Sequence, residues 1–224
     1  KINNDDILII HINKDVDITW KKGISLGSYG DLKKVTIGLN GHIYLGGNSK
    51  KGDGQNLGDV WITSLDKNGN ELWHKFFGGK LWEELNDLIT LQDGSILFCG
   101  ETNSIGNGKQ DFWLVKLNSN GFLQWERTYG GREADVAKTI LPLFNGNIWL
   151  AGSSMSLLNK KGATKFAARI MEIEPGGKSM RAFINDFLKD KTEDEKKDFS
   201  NFIYNQVRFI ITEMPPEIDE NRLF

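Results

Sequence analysis

Trp82, Glu83 and Glu84 are the residues with the clearest chemical potential, because an aromatic side chain is followed by two adjacent carboxylates. A carboxylate pair beside an exposed ring can bind a sugar or start acid–base chemistry. Two carboxylates that are neighbours in sequence are a weak sign of such a site, since charged side chains in loops are usually solvated. We therefore assign no residue to catalysis and name Trp82, Glu83 and Glu84 only as candidate contacts for a partner.

No other set of residues has the spacing of a known reactive centre. His11, His42 and His74 occur in separate segments, and no two of them have metal-ligand spacing. Cys99 lies in the apolar run ILFCG, where a buried and inert thiol is expected. The sequence contains no phosphate-binding loop, serine nucleophile elbow or zinc-protease motif. We expect no cofactor and no metal.

Length and charge exclude several classes of protein. The 224 residues suffice for one large domain or for a domain with an appendage. A net charge of −2 lacks the basic excess with which nucleic-acid-binding proteins neutralise phosphates. No segment approaches the roughly 20 apolar residues of a membrane helix, and the single cysteine excludes an internal disulfide. We expect the partner to be a protein or another domain of the same parent chain, with no nucleic acid and no membrane.

The chain repeats itself with a nearly constant period. Trp20, Trp73 and Trp125 follow one another at spacings of 53 and 52 residues. The same spacings separate three Asn-Gly or Asp-Gly pairs, at positions 40–41, 93–94 and 145–146. Self-similarity at a fixed period indicates a repeat architecture.

Each period predicts four short strands and no helix. Apolar runs such as FWLVKL end at Asn-Gly pairs, which favour tight hairpin turns. A single four-stranded sheet cannot bury both of its faces, and radial stacking of such sheets is the β-propeller solution. The repeated Trp residues are expected to pack between blades. The alternative is that they serve as platforms on which a sugar stacks. Three repeated glycines are expected where strands approach closely, namely Gly47, Gly100 and Gly152.

Two segments carry a resemblance to a known family. LDKNGNELW at 65–73 and LNSNGFLQW at 117–125 resemble the strand pair of quinoprotein-type, PQQ-like propeller repeats, as found in tandem in bacterial proteins. The resemblance spans about residues 5–183 and implies a propeller. Quinoprotein dehydrogenases hold PQQ with calcium and a catalytic Asp, but none of these ligands can be placed here, so the resemblance is to a non-catalytic branch. The resemblance does not decide the cellular compartment of the protein, which could be cytoplasmic or extracytoplasmic in a bacterium.

We expect an all-β body of β-propeller blades over residues 1–183, followed by a C-terminal α-helical appendage over residues 184–224. The expected units are a half blade at 5–20 and complete blades at about 31–77, 84–129 and 135–183. Three and a half blades are fewer than the roughly four to eight that close a ring. Either more blades precede Lys1 in the parent protein or another chain supplies them. Since the first residue is Lys1 and not Met, we expect the former, with this chain as the C-terminal part of a longer propeller protein.

Two hypotheses about function follow. The first is a non-catalytic interaction or scaffold module that binds a protein through a propeller face or through the C-terminal helix. The alternative is a fragment of a propeller-type hydrolase, lyase or oxidoreductase whose active centre lies in upstream blades. The sequence favours the first, because it shows no carboxylate or histidine recurring once per blade, as a catalytic central channel would require.

The C-terminal segment has helical signals. Thr192 to Glu195 form a capping box, and Pro215-Pro216 ends the predicted helix. Between them runs a stripe of apolar residues at helical spacing, which packs either on the propeller or on a partner. Its members are Phe199, Phe202, Ile203, Val207, Ile210 and Ile211.

Deletion of residues 191–224 tests this apolar stripe. Burying six large apolar side chains is worth about 1.5–3 kcal/mol each, so we expect the stripe to be covered. If the propeller covers it, the deletion lowers the melting temperature and causes aggregation. If a partner covers it, melting is unchanged and association is lost. Calorimetry and light scattering measure both quantities, and no change in either would contradict the prediction.

Overall fold

A computed structural model describes residues 6–25, 30–49, 58–143, 146–156, 167–176 and 179–180. Within these ranges the chain forms β-strands and no α-helix, so the predicted all-β body is confirmed for this part. No helix in the same ranges is long and apolar enough to cross a membrane. Residues 184–224, with the predicted helix and its apolar stripe, lie outside the described residues, and the helix stays a prediction.

The described strands form four antiparallel sheets in which consecutive strands are neighbours. Sheet I contains β1 (Asp6–Ile12) and β2 (Ile18–Ser25). Sheet II contains β3 (Gly30–Ile37), β4 (Ile43–Ser49), β5 (Asp59–Leu65) and β6 (Glu71–Phe77). Sheet III contains β7 (Glu83–Thr90), β8 (Ile96–Thr102), β9 (Asp111–Leu117) and β10 (Leu123–Tyr129). Sheet IV contains β11 (Asp135–Pro142), β12 (Ile148–Ser154), β13 (Ala167–Ile173) and β14 (Ser179–Met180).

The third strands of sheets II and III are buried along almost their whole length. Both β5 (DVWITSL) and β9 (DFWLVKL) have apolar side chains on both faces, which suits a strand with neighbours at both edges and sheets on both sides. The fourth strands, β6 and β10, lie at the sheet edge and are largely exposed or half-buried. The pattern of burial therefore follows the position of each strand in its sheet.

Three apolar clusters join the four sheets in a row. The cluster between sheets I and II is the smallest and contains Ile24, Leu45, Trp61 and Leu65. The cluster between sheets II and III includes Tyr44, Val60, Ile62, Leu85, Leu88, Phe98 and Trp113. The cluster between sheets III and IV includes Leu97, Cys99, Phe112, Leu114, Ile140, Leu150 and Met171. Each sheet thus buries apolar side chains against the next sheet along the chain.

The repeated Trp residues pack between sheets, as the sequence predicts. The ring of Trp20 in sheet I lies against Gly69 of sheet II, and the ring of Trp73 lies against Gly121 of sheet III. The indole nitrogen of Trp73 also donates to the carbonyl of Ser119 at 3.0 Å. Both rings are half-buried, with His11 stacked on Trp20 at 5.3 Å between ring centres and Lys75 Nζ 5.6 Å from the centre of the Trp73 ring.

A bulge near the start of β3, β7 and β11 requires glycine on the paired strand. The pairing shifts by one residue between Leu32 and Lys34 and at the corresponding places in the other two sheets. A Cβ atom at Gly47 would lie 1.8 Å from the carbonyl oxygen of Asp31, and one at Gly100 would lie 1.7 Å from that of Glu84. The predicted close approach at these repeated glycines is therefore confirmed.

The hairpin turn of sheet I departs from the corresponding turns of sheets II and III at one position. Gly69 and Gly121 occupy this position in sheets II and III, with φ of 78° and 72°. Sheet I has Val16 there, with φ of 69°. A β-branched residue in the left-handed region is strained. Its side chain is exposed and gains no packing in return.

We expect Val16→Gly to stabilise the protein by about 1 kcal/mol, because the left-handed conformation costs L-residues about 1–2 kcal/mol and glycine loses some of that gain to entropy. Urea unfolding measures the difference. The matched control is Gly69→Val, which should destabilise, because it has the same conformation and its Cβ would lie 3.0 Å from the Trp20 ring. A neutral or destabilising effect of Val16→Gly would contradict the prediction.

Candidate interaction surface

Trp82 lies in the connection that precedes β7, and the structure places it against the preceding sheet. It forms an isolated parallel bridge with Gly58, where an added Cβ would lie 2.9 Å from the Trp82 ring. Its carbonyl accepts a hydrogen bond from the backbone N–H of Asn103 at 2.9 Å. The side chain is half-buried, so part of the ring remains accessible.

Glu83 is fully buried, and its carboxylate joins two loops. One oxygen accepts a hydrogen bond from the N–H of Gly79 at 2.8 Å. The other accepts from the hydroxyl of Thr102 at 2.8 Å and from the N–H of Ser104 at 3.2 Å. A partner could contact this carboxylate only if both loops opened.

Asp135 has the same role one period later, in sheet IV. It is fully buried and accepts hydrogen bonds from the N–H of Gly131 at 2.8 Å and from the hydroxyls of Ser154 and Ser156. The equivalence is not apparent in the sequence, because one position holds a glutamate, Glu83, and the other an aspartate, Asp135. Glu83 therefore belongs to a repeated loop contact and is not a unique feature of its loop.

Glu84 belongs to a charged group on the first strands of sheets II and III. It pairs with Lys33 at 3.3 Å, and Lys33 also pairs with Asp31 at 3.1 Å. Burial lowers the pKa of Lys33, but the two carboxylates outweigh that effect and raise it. Burial and the nearby charge of Glu84 raise the pKa of Glu101. Glu84 thus shares one lysine with Asp31, and its charge also acts on Glu101.

Asp87 connects the first strands of three sheets through one buried carboxylate. One oxygen pairs with Lys34 of β3 at 3.0 Å. The other accepts from the hydroxyl of Thr139 at 2.9 Å and from the N–H of Ile140 at 3.0 Å, both on β11. Lys34, Asp87 and Thr139 occupy equivalent positions after the bulges, so three different side chains form one contact. The sequence gives no sign of this group, because the three equivalent positions hold a lysine, an aspartate and a threonine.

The described residues offer no metal centre and no activated thiol. Within the described ranges, no group of three or more His, Cys, Asp or Glu side chains could hold a metal ion. Cys99 is buried, and desolvation with the nearby charge of Asp87 raises its pKa well above the ordinary value, which keeps the thiol protonated. The histidines contact local side chains, as His42 does with Asn40 at 3.0 Å.

The most unusual surface is the face of sheet I that points away from sheet II, which we call the open face. Leu8 and Ile12 on this face are 45% and 51% exposed. The residues at the same positions of sheet II, Trp61 and Leu65, are completely buried because sheet I covers them. The sequence contained a signal for this surface, since the run ILIIHI is apolar on both faces of the strand.

Comparisons with known proteins do not assign the chain to a family. No protein-family model matches it, and a search of curated proteins gives no match.

We expect Asp87→Ala to destabilise the protein by about 2–4 kcal/mol, because it leaves the buried N–H of Ile140 and the hydroxyl of Thr139 without their acceptor. Chemical denaturation measures the effect. Lys34→Ala is the matched control and should cost less than about 1 kcal/mol, since the Lys34 side chain is 46% exposed and water can replace the ion pair. Equal losses in the two variants would show that the ion pair, and not the link to β11, stabilises the contact.

Proposed function

We propose that this chain is part of a quinoprotein-type β-propeller and serves as a non-catalytic scaffold that binds a protein or another domain of its parent chain. The sheets of the described part would be successive blades, with β3, β7 and β11 nearest the axis. In support, these three strands are the first of their sheets, and β7 contacts both β3 and β11. Blade-to-blade packing of this kind is how four-stranded sheets bury both faces.

The binding proposal rests on the exposed apolar side chains on the open face of sheet I. Its apolar side chains lie at positions that a preceding sheet covers in sheets II and III: Leu65 and Leu117 are completely buried, whereas Ile12 is 51% exposed. Contiguous exposed apolar residues mark interaction sites more often than isolated ones do. The open face therefore suits a partner that presents an apolar surface, as a preceding blade would.

Trp82, Glu84 and the apolar stripe of the C-terminal segment stay secondary candidates in this proposal. Trp82 and Glu84 lie near the start of β7, and each keeps part of its side chain accessible. Glu84 pairs with Lys33 and Trp82 packs on Gly58, so both would add to the rim of an interface. The open face has no such internal compensation among the described residues and would form the centre of the interface.

A photo-cross-linking amino acid at Ile12 of the full chain, expressed in its source cells, tests this function. We expect a covalent adduct with a polypeptide, identified by mass spectrometry. The matched control carries the same amino acid at Val16, which is 77% exposed in the hairpin turn and lies off the open face. No adduct at Ile12, or equal adducts at both positions, would contradict the proposal.

A further inference from the structure

Two carboxylates lie opposite each other on the first two strands of sheet III. Glu84 on β7 is the cross-strand partner of Glu101 on β8, so both side chains are on the same face of the sheet. Side chains in this relation have Cβ atoms about 4.5–5.5 Å apart, and like charges there are destabilising. Glu101 is only 7% exposed, so water and salt screen the repulsion weakly. Two charged carboxylates therefore lower the stability of this sheet.

The repeat shows that the fold does not require an acidic pair at this place. In sheet II the equivalent partners are Asp31 and Asn48, and the N–H of Asn48 donates to the Asp31 carboxylate at 3.0 Å. In sheet IV they are Val136 and Ser153. The position of Glu101 thus holds an uncharged residue in both neighbouring sheets, which are also four-stranded. Among these three sheets, the second carboxylate is a property of sheet III alone.

The charges around Glu101 come from the neighbouring strands. Glu84 on β7 repels it, and Lys33 on β3 pairs with Glu84 at 3.3 Å. Lys138 on β11 attracts it from sheet IV, and β9 presents the uncharged Phe112 opposite it. Burial, followed by the charge of Glu84, raises the pKa of Glu101 and outweighs the effect of Lys138. The surroundings therefore favour the neutral form of Glu101 more than water does.

Glu101 is connected to the junction of sheets III and IV through Gln110. The Nε2 atom of Gln110 donates to Oε1 of Glu101 at 3.2 Å. The backbone carbonyl of Gln110 accepts a hydrogen bond from the N–H of Asp135 at 2.8 Å, and Gln110 forms an isolated parallel bridge with Ala134. One residue therefore links the Glu101 carboxylate to the start of β11.

We propose that Glu84 and Glu101 form an acid-responsive contact, which binds one proton as the pH falls and then holds sheet III more firmly to sheet IV. The proton comes from the solvent and is carried by Glu101, which can still accept the hydrogen bond from Gln110. Binding of the proton removes the repulsion with Glu84. This inference goes beyond the proposed function and does not depend on it, since it concerns the junction of sheets III and IV and not the open face.

The pH dependence of this contact has a definite sign. The pKa of Glu101 in the folded protein is raised above the ordinary 4.5, so the folded protein binds this proton more tightly than the unfolded chain does. The stabilisation is therefore fully present below about pH 4.5 and is lost as the pH rises through the raised pKa. Carboxylates such as Asp93, whose pKa is lowered to about 2, act in the opposite direction. The effect of Glu101 is thus measured as a difference between two proteins.

Urea denaturation of the full chain and of its Glu101→Gln variant, at about pH 7.5 and about pH 4, tests the proposal. Glutamine has the shape of the protonated side chain and cannot ionise. We expect the folding equilibrium constant of the variant, relative to the wild type, to be at least about threefold higher at the higher pH. The matched control is Glu133→Gln, which removes a more exposed carboxylate paired with Lys109 at 2.9 Å and should show no such rise. A ratio that does not depend on pH, or an equal rise in both variants, would overturn the inference.

Two further measurements follow the atoms concerned. An NMR titration of the Glu101 carboxyl carbon in the wild-type chain should have its midpoint above pH 4.5, and Glu84→Gln should lower that midpoint. The backbone N–H of Asp135 should exchange more slowly in Glu101→Gln than in the wild type at about pH 7.5, and equally fast at about pH 4. A midpoint at or below pH 4.5, a midpoint that Glu84→Gln does not move, or equal exchange of Asp135 at both pH values is incompatible with the inference. The wild-type titration decides the question even if a variant does not fold.

Discussion

The structure depends on one constraint, namely that a four-stranded sheet with apolar residues on both faces needs a neighbouring sheet on each side. Sheets II and III satisfy this constraint within the chain, and their third strands are buried along almost their whole length. Sheet I meets it on one face only among the described residues, which leaves the open face. The surfaces that suggest a function are thus the places where the constraint is not met by the described residues.

Close contact between successive sheets is made possible by small backbone features. A bulge in each first strand brings a carbonyl so near the paired strand that only glycine fits, as at Gly47 and Gly100. The bulge also changes which side chains point towards the neighbouring sheets. In sheet III it positions Asp87 between Lys34 and Thr139, where one carboxylate holds three strands. Backbone geometry and the polar link are therefore parts of the same arrangement.

Buried carboxylates in this protein serve to hold loops and strands. Glu83 and Asp135 each accept hydrogen bonds from backbone and hydroxyl donors of the loops around them. Because neighbouring segments supply three donors to each of them, such a carboxylate can be buried without a counter-ion. This explains why an acidic pair beside an aromatic residue need not indicate catalysis. It directs attention to surfaces where the apolar side chains, and not the charges, lack partners.

The sequence by itself determined the strands, the turns and their period, because alternation and Asn-Gly pairs act over a few residues. It also predicted the close approach at the repeated glycines and the packing of Trp73. Only the tertiary structure decided which of several similar residues are buried. Val35, Leu88 and Ile140 are all apolar and equivalent by the repeat, yet only Val35 is exposed, because no described strand pair precedes it. The link at Asp87 was likewise not predictable, since its partners lie about one period away on either side and differ in residue type.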